Sequence, residues 1–170
     1  MKWPLKLDGI RSPLRFEETV RQAVHDFKYR NLRALALPLA QILSEYLCDN
    51  PMPADALVPV PLHSHRLRER GYNQSALLAR ELGNLTGLPL IDGELIRFRD
   101  SGAQVMASSV STRWSNVAGA FGCRDEKIYG KRILLIDDVC TTGATLDSCG
   151  AALKAAGAVS VWGLTVAREV

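Results

Sequence analysis

The chain has 170 residues, a formal net charge of +3, 47% hydrophobic residues and 23% charged residues. That length fits one domain with a good core, and the composition is ordinary for a soluble globular protein. No apolar stretch approaches transmembrane length, the opening MKWPLKLDGIRS is too polar for a signal peptide, and so mild a charge permits an anionic ligand without by itself arguing for nucleic acid.

Cys48, Cys123, Cys140 and Cys149 are scattered, with no CxxC pair. This spacing speaks against a zinc site and suggests no disulfide framework, so thiols in a reducing cytosol are expected. Cytoplasmic localisation with no membrane partner follows as the expectation. Cys140 is expected to be a small filler residue, with accessibility in its loop as the alternative.

In chain order, Phe16, Val20, Val24 and Phe27 recur at helical spacing and predict a helix over Phe16 to Tyr29. Leu32 to Leu47 predicts a second, strongly apolar helix in which Pro38 marks a first turn or a kink. Asn50 to Pro53 reads as a loop, and Ala56 to Val60 as a short strand ended by Pro59. Asn73 predicts a helix cap, with the helix running to about Leu82 and Gly83 as its stop signal. Leu95 to Arg99 reads as a strand. Asp100 to Thr112, DSGAQVMASSVST, is small and polar and reads as a mobile loop. Lys131 to Asp137 and Ser160 to Val166 read as strands, with a helix between them that ends near Gly157. Strands alternating with helices imply a parallel α/β sheet. The organisation expected is one unit over 1–170, helical over 1–53 and a sheet core over 54–170.

Ile133 to Thr145, ILLIDDVCTTGAT, carries the most chemistry. Four apolar residues fit a strand buried on both faces of a parallel sheet. Asp137 and Asp138 follow at the carboxyl edge, where open α/β sheets bind ligands. Thr141, Thr142, Gly143, Ala144 and Thr145 form a hydroxyl-rich turn that opens a helix, whose free N–H groups favour an anion. Carboxylates suited to hydroxyls or a metal thus precede a cradle for phosphate, and the implied ligand is a sugar phosphate. An acidic pair at a strand end also occurs in receiver domains, but those place their acids early in the chain and lack the hydroxyl-rich turn. A P-loop would need a Lys after its second Gly, and GxGxxG is absent.

Leu57 to Gly71, LVPVPLHSHRLRERG, forms a second strand-to-loop edge. Arg66, Arg68 and Arg70 suit a pyrophosphate, since guanidinium forks make charge-assisted hydrogen bonds. Taken alone, the run also reads as a solvated basic face.

The first segment resembles the phosphoribosyl diphosphate motif of type I phosphoribosyltransferases. The second, VPVPLHSHRLRERGYNQS, resembles the signature of the ComF/GntX family of phosphoribosyltransferase-like proteins. Val24 to Arg30, with Lys28, matches that family's early helix. Arg97, Arg99, Gln104, Arg113, Asn116 and Phe121 echo its middle segment, and Trp162 to Arg168 its closing strand. Many members carry an N-terminal four-cysteine zinc module, and this chain starts after the place where it would lie. The spacing of Gln104 and Arg113 also departs from the family pattern by one residue.

The resemblance implies a type I phosphoribosyltransferase fold, a mainly parallel twisted sheet flanked by helices. It implies that Asp137 and Asp138 hold the ribose hydroxyls and that Thr141 to Thr145 wrap the 5-phosphate. Val60, Pro61 and Leu62, with Arg66, Arg68 and Arg70, would take the pyrophosphate, and Val60–Pro61 is a place where a cis bond costs little. Arg99 and Gln104 would belong to the mobile loop. Magnesium would ride on ligand oxygens with no direct protein ligand. The activity implied is transfer of a phosphoribosyl group from phosphoribosyl diphosphate, with release of pyrophosphate. The acceptor and the catalytic base stay unnamed, because Thr141 stands where 6-oxopurine enzymes keep an Asp. The alternative implied is a non-catalytic module that binds the sugar phosphate or single-stranded DNA, alongside competence proteins in DNA uptake. A homodimer is left open.

Overall fold

The apolar run at Ile133–Ile136 forms the middle of the sheet in the computed structural model, which describes residues 5–99 and 119–170. The elements are β1 (Gly9–Arg11), β2 (Leu14–Arg15), α1 (Glu18–Tyr29), α2 (Ala36–Asp49, led by a 3-10 turn at Arg33–Leu35), β3 (Ala56–Pro59), α3 (Ser64–Arg70), α4 (Gln74–Thr86), β4 (Leu95–Arg97), β5 (Phe121–Cys123), β6 (Arg132–Cys140), α5 (Ala144–Ala155) and β7 (Ser160–Arg168). The main sheet has the order β1-β7-β6-β3, with β2 also pairing β7. All of its pairings are parallel. β4 and β5 form a separate antiparallel pair. This is the α/β, parallel-sheet architecture expected.

Both faces of the sheet are covered, which is why β6 has no polar alternation before its acids. Ile133 and Leu135 join Leu146, Cys149 and Leu153 of α5 and Phe121 of β5. Leu134 and Ile136 face the other way, into a cluster with Phe27 of α1, Leu43 of α2, and Leu78 and Leu82 of α4. Full burial of one such side chain is worth roughly 2 kcal/mol, so β6 is a main anchor of both layers.

Several boundaries differ from the sequence expectations, each for a structural reason. β6 does not stop at Asp137. It continues to Cys140 because β7 keeps pairing with it as far as Cys140 opposite Arg168. α4 runs through Gly83 to Thr86. A Cβ at Gly83 would stand 3.0 Å from the Leu88 carbonyl, so glycine there permits a close chain return instead of stopping the helix. Pro38 is the third residue of α2, where its missing N–H has no intrahelical partner to lose. The N-terminal part is not purely helical, since β1 and β2 extend the sheet edge before α1. α3 and β5 are further additions. No peptide bond among the described residues is cis, so Val60–Pro61 is trans. No helix among them is long and apolar enough to cross a membrane.

Candidate functional site

β3 and β6 pair in register from Ala56 opposite Ile133 to Pro59 opposite Ile136. One more bond, from Val60 N to the Ile136 carbonyl at 2.9 Å, closes the ladder. Pro61 carries no N–H to extend it. At this carboxyl edge a cavity of about 690 Å³ opens. Its lining includes Val60, Pro61, Leu62, Arg66, Arg70, Asp137, Asp138, Thr141 and Thr145. The two stretches singled out by sequence therefore meet in one cleft, although more than 60 residues separate them along the chain.

On the floor, the two aspartates have different partners. Asp137 Oδ1 accepts from the Ser75 hydroxyl at 2.8 Å and from the Asp138 backbone N–H at 2.9 Å. Asp138 Oδ1 accepts from the Val139 N–H at 2.8 Å, and its Oδ2 lies 3.0 Å from Lys28 Nζ. Burial, and then the charge of Asp138, push the Asp137 carboxyl up to about 7, against the pull of Lys28 and the Ser75 bond. Burial opposes the charge of Lys28, but Asp138 and Asp137 outweigh it, and its pKa is raised. Lys28 therefore stays cationic across the neutral range.

Thr141 to Thr145 form the turn into α5. With Asp137, Val139, Cys140 and Leu146 they line a smaller recess of about 40 Å³. Gly143 caps α5 with φ +83°, a left-handed conformation that glycine adopts without strain. Thr142 Oγ1 accepts from the Ala144 N–H at 3.3 Å. Cys140 is buried, and burial raises its thiol pKa, so it fits the filler expectation and is a poor nucleophile.

The opposite wall explains much of the segment after Leu62. Arg66 and Arg70 lie four residues apart on α3 and share a face, and both line the cleft. Arg68, two residues from each, is exposed and is not among the lining residues. Of the three arginines expected at the pyrophosphate, helical spacing thus brings two to the cleft and leaves Arg68 outside its lining. Arg70 stacks over Tyr29 at 5.2 Å, and its guanidinium donates to Gln74 Oε1. Tyr72 is buried, and its hydroxyl donates to the Phe27 carbonyl of α1. Asn73 caps α4 by accepting from the N–H groups of Ser75 at 3.0 Å and Ala76 at 3.4 Å. Its Nδ2 donates to the Val60 carbonyl at 3.0 Å, tying the loop to the helix start. His63 and His65 belong to the start of α3, where His63 Nδ1 accepts from the His65 N–H at 3.3 Å.

Arg99 is exposed, and its carbonyl accepts from Arg97 Nε at 3.0 Å. Gln104 and the loop expected at Asp100 to Thr112 lie outside the described residues. Sequence reasoning gave no site role to Lys28, Ser75 or the α1 residues Arg21, Val24 and His25, which line the same cavity. The signal for the α1 wall was present: residues 21, 24, 25 and 28 follow helical spacing. Among the described residues no cluster of His, Cys, Asp or Glu could cage a metal ion.

With this geometry in view, the comparisons are consistent with one another. The model of the "Phosphoribosyl transferase domain" family matches residues 67–168. "Competence protein F" of Haemophilus influenzae is 35% identical over 115 residues, covering 65% of this chain and 49% of that protein. "DNA utilization protein YhgH" of Salmonella typhi is 34% identical, covering 82% of this chain and 63% of that protein. "Competence protein ComFC" of Bacillus subtilis is 28% identical, covering 97% and 66%. The chain thus spans between half and two-thirds of the length of these relatives. Glutamine phosphoribosylpyrophosphate amidotransferase from B. subtilis shares the fold, with a TM-score of 0.54, 22% identity, and coverage of 82% of this chain and 30% of that one.

Proposed function

This chain belongs to the phosphoribosyl transferase domain family, in the group that holds competence protein F, YhgH and ComFC, and on that premise we propose that its cleft binds phosphoribosyl diphosphate and transfers the phosphoribosyl group to a nitrogenous acceptor. The observation that carries the reading is the single cavity in which Asp137, Asp138 and the Thr141–Thr145 turn face Val60–Leu62, Arg66 and Arg70. A ligand with a phosphate at one end and a pyrophosphate at the other would span those two edges.

Asp137 and Asp138 accept from the ribose hydroxyls. The N–H groups and hydroxyls of Thr141 to Thr145 hold the 5-phosphate at the start of α5. Arg66 and Arg70 neutralise the pyrophosphate, with Val60 to Leu62 as the backbone rim beneath it. In the reaction the bond from C1 to the pyrophosphate oxygen breaks and the oxygen keeps the pair. An acceptor lone pair then forms the new bond to C1. The arginines act on charge that develops at the leaving group, which is where preorganised cations accelerate such a step.

The donor set fits magnesium only as a ligand-borne ion. Asp138 is already matched to Lys28, and the described residues offer no cage of metal ligands around the pair. When bound, the ion would supply further neutralisation of the pyrophosphate oxygens. Direct single-stranded DNA binding is the weaker reading. Tyr72, the aromatic nearest the basic cluster in sequence, is buried and hydrogen-bonded to Phe27, so it offers no face to a base.

Calorimetric titration with phosphoribosyl diphosphate and magnesium tests the proposal, followed by pyrophosphate release across a panel of nitrogenous acceptors. Binding that falls at least tenfold in Asp138→Asn supports it. Equal binding by wild type and the Asp137→Asn, Asp138→Asn double variant would sink the site assignment. Binding without release from any acceptor would leave a sugar-phosphate-binding module.

A further inference from the structure

The third wall of the cleft is α1, and nothing in the phosphoribosyl assignment uses its outer half. Arg21, Val24, His25 and Lys28 fall at i, i+3, i+4 and i+7, so one helix face lines the cavity, joined by Phe16 just before the helix. Lys28 marks the inner end, 3.0 Å from Asp138. Seven residues of helix place Arg21 about 10 Å further out along the axis. That interval is wide enough for a single ring with one substituent beside the ribose.

The chemistry of this wall is selective. Phe16 and Val24 supply apolar surface. The Arg21 guanidinium lies over the Phe16 ring, 5.3 Å from its centroid. A guanidinium held against an aromatic ring keeps its fork available for a planar acid. Among the described residues no carboxylate pairs with Arg21. The acids lining the cavity are Asp137 and Asp138, against Arg21, Lys28, Arg66, Arg70 and Arg97. Lys28 is matched by Asp138, and the pyrophosphate would take Arg66 and Arg70. Arg21 is then a cation beside an apolar surface, with no carboxylate among the described residues to answer it.

We propose that this face of α1 is the acceptor subsite and that it takes a flat aromatic ring bearing a carboxylate. The proposal rests on the phosphoribosyl diphosphate reading and names the substrate class for that same cleft. The ring lies against Phe16 and Val24, with its carboxylate on Arg21. A neutral or cationic base finds no carboxylate partner on this wall.

The test is calorimetry on the full chain with magnesium and phosphoribosyl diphosphate present at saturation. The probes are benzoate, nicotinate and orotate, compared with nicotinamide and adenine. Wild type is expected to bind at least one of the acids at least tenfold more tightly than either neutral compound. Arg21→Glu should abolish that preference, and Arg21→Lys should retain only part of it, because an ammonium keeps the charge without the fork. Arg21 is exposed, so these variants are expected to fold. Acids and neutral compounds binding alike, or a preference unchanged in Arg21→Glu, would overturn the subsite while leaving the phosphoribosyl reading intact. Failure of wild type to bind phosphoribosyl diphosphate itself would overturn both.

Discussion

Lys28 Nζ on α1 lies 3.0 Å from Asp138 Oδ2 on β6, joining a peripheral helix to the strand at the centre of the sheet. Asp138 is 2% exposed, and Lys28 is its ion-pair partner. Removing one partner of a buried pair leaves an uncompensated charge, a loss of about 3–5 kcal/mol when both groups are fully buried. Lys28 keeps 25% of its side-chain exposure, and water can partly replace it. Lys28→Met is therefore expected to lower stability at pH 7 by about 2 kcal/mol in urea unfolding. Adding Asp138→Asn should restore most of the loss. Strictly additive effects in that double-mutant cycle would show that the two groups are not coupled.

Asp137 predicts opposite pH trends for stability and for ligand binding. Its carboxyl is pushed up to about 7 from an ordinary value of 3.8. Between those values the folded state holds a proton that the unfolded chain has released, so stability falls as pH rises from about 4 to about 7. Asp137→Asn removes the titrating group. The melting temperature of that variant relative to wild type should therefore climb through this window and level off above it. Ribose hydroxyls donate best to an ionised carboxylate. Affinity for phosphoribosyl diphosphate is expected to rise from pH 5 to about 7.5 in wild type and to rise less in Asp137→Asn. Parallel pH profiles for the two proteins would remove Asp137 from the ribose site.

The three arginines of α3 are expected to separate by helical phase. Arg66 and Arg70 line the cleft and Arg68 does not. A charge-assisted bond to phosphate is worth roughly 1.5–3 kcal/mol, about ten- to a hundredfold in affinity. Arg66→Ala and Arg70→Ala should each weaken magnesium–phosphoribosyl diphosphate binding by at least tenfold in calorimetry, and Arg68→Ala by less than twofold. Arg70→Ala should also lose some stability, because it removes the stack on Tyr29 and the bond to Gln74. Equal losses at all three positions would point to a diffuse electrostatic role.

The central strand and the Thr141–Thr145 turn were legible in sequence because their signals are local. Ile133 to Ile136 is apolar on both faces, and Asp137, Asp138 and the Thr141–Thr145 turn follow without interruption. The parallel α/β class was legible for the same reason. β1 and β2 were not, because short edge strands of three and two residues carry no periodicity of their own. They form where β7 offers a free edge. The ends of β6 and α4 were misplaced where pairing with β7 and the return past Gly83 overrode local stop signals. In the site, the Arg66–Arg68–Arg70 run read as one cluster until α3 gave it a phase. Lys28 and Ser75 gained roles only when the fold brought α1 and α4 to the ends of the two aspartates.

Asn73 does two things with one side chain, and substitutions can separate them. Its Oδ1 accepts from the N–H groups of Ser75 and Ala76 at the start of α4, while its Nδ2 donates to the Val60 carbonyl in the loop proposed to carry pyrophosphate. Asn73→Asp keeps an acceptor for the cap and adds a negative charge favourable at a helix start, but it loses the donor to Val60. Asn73→Ala loses both. Urea unfolding should show Asn73→Ala destabilised by about 1–2 kcal/mol and Asn73→Asp by less. Affinity for phosphoribosyl diphosphate should fall in both, because both release the Val60 carbonyl and with it the loop. A stable Asn73→Asp that binds as well as wild type would show that α3 and the Val60–Leu62 segment hold their geometry without this tie.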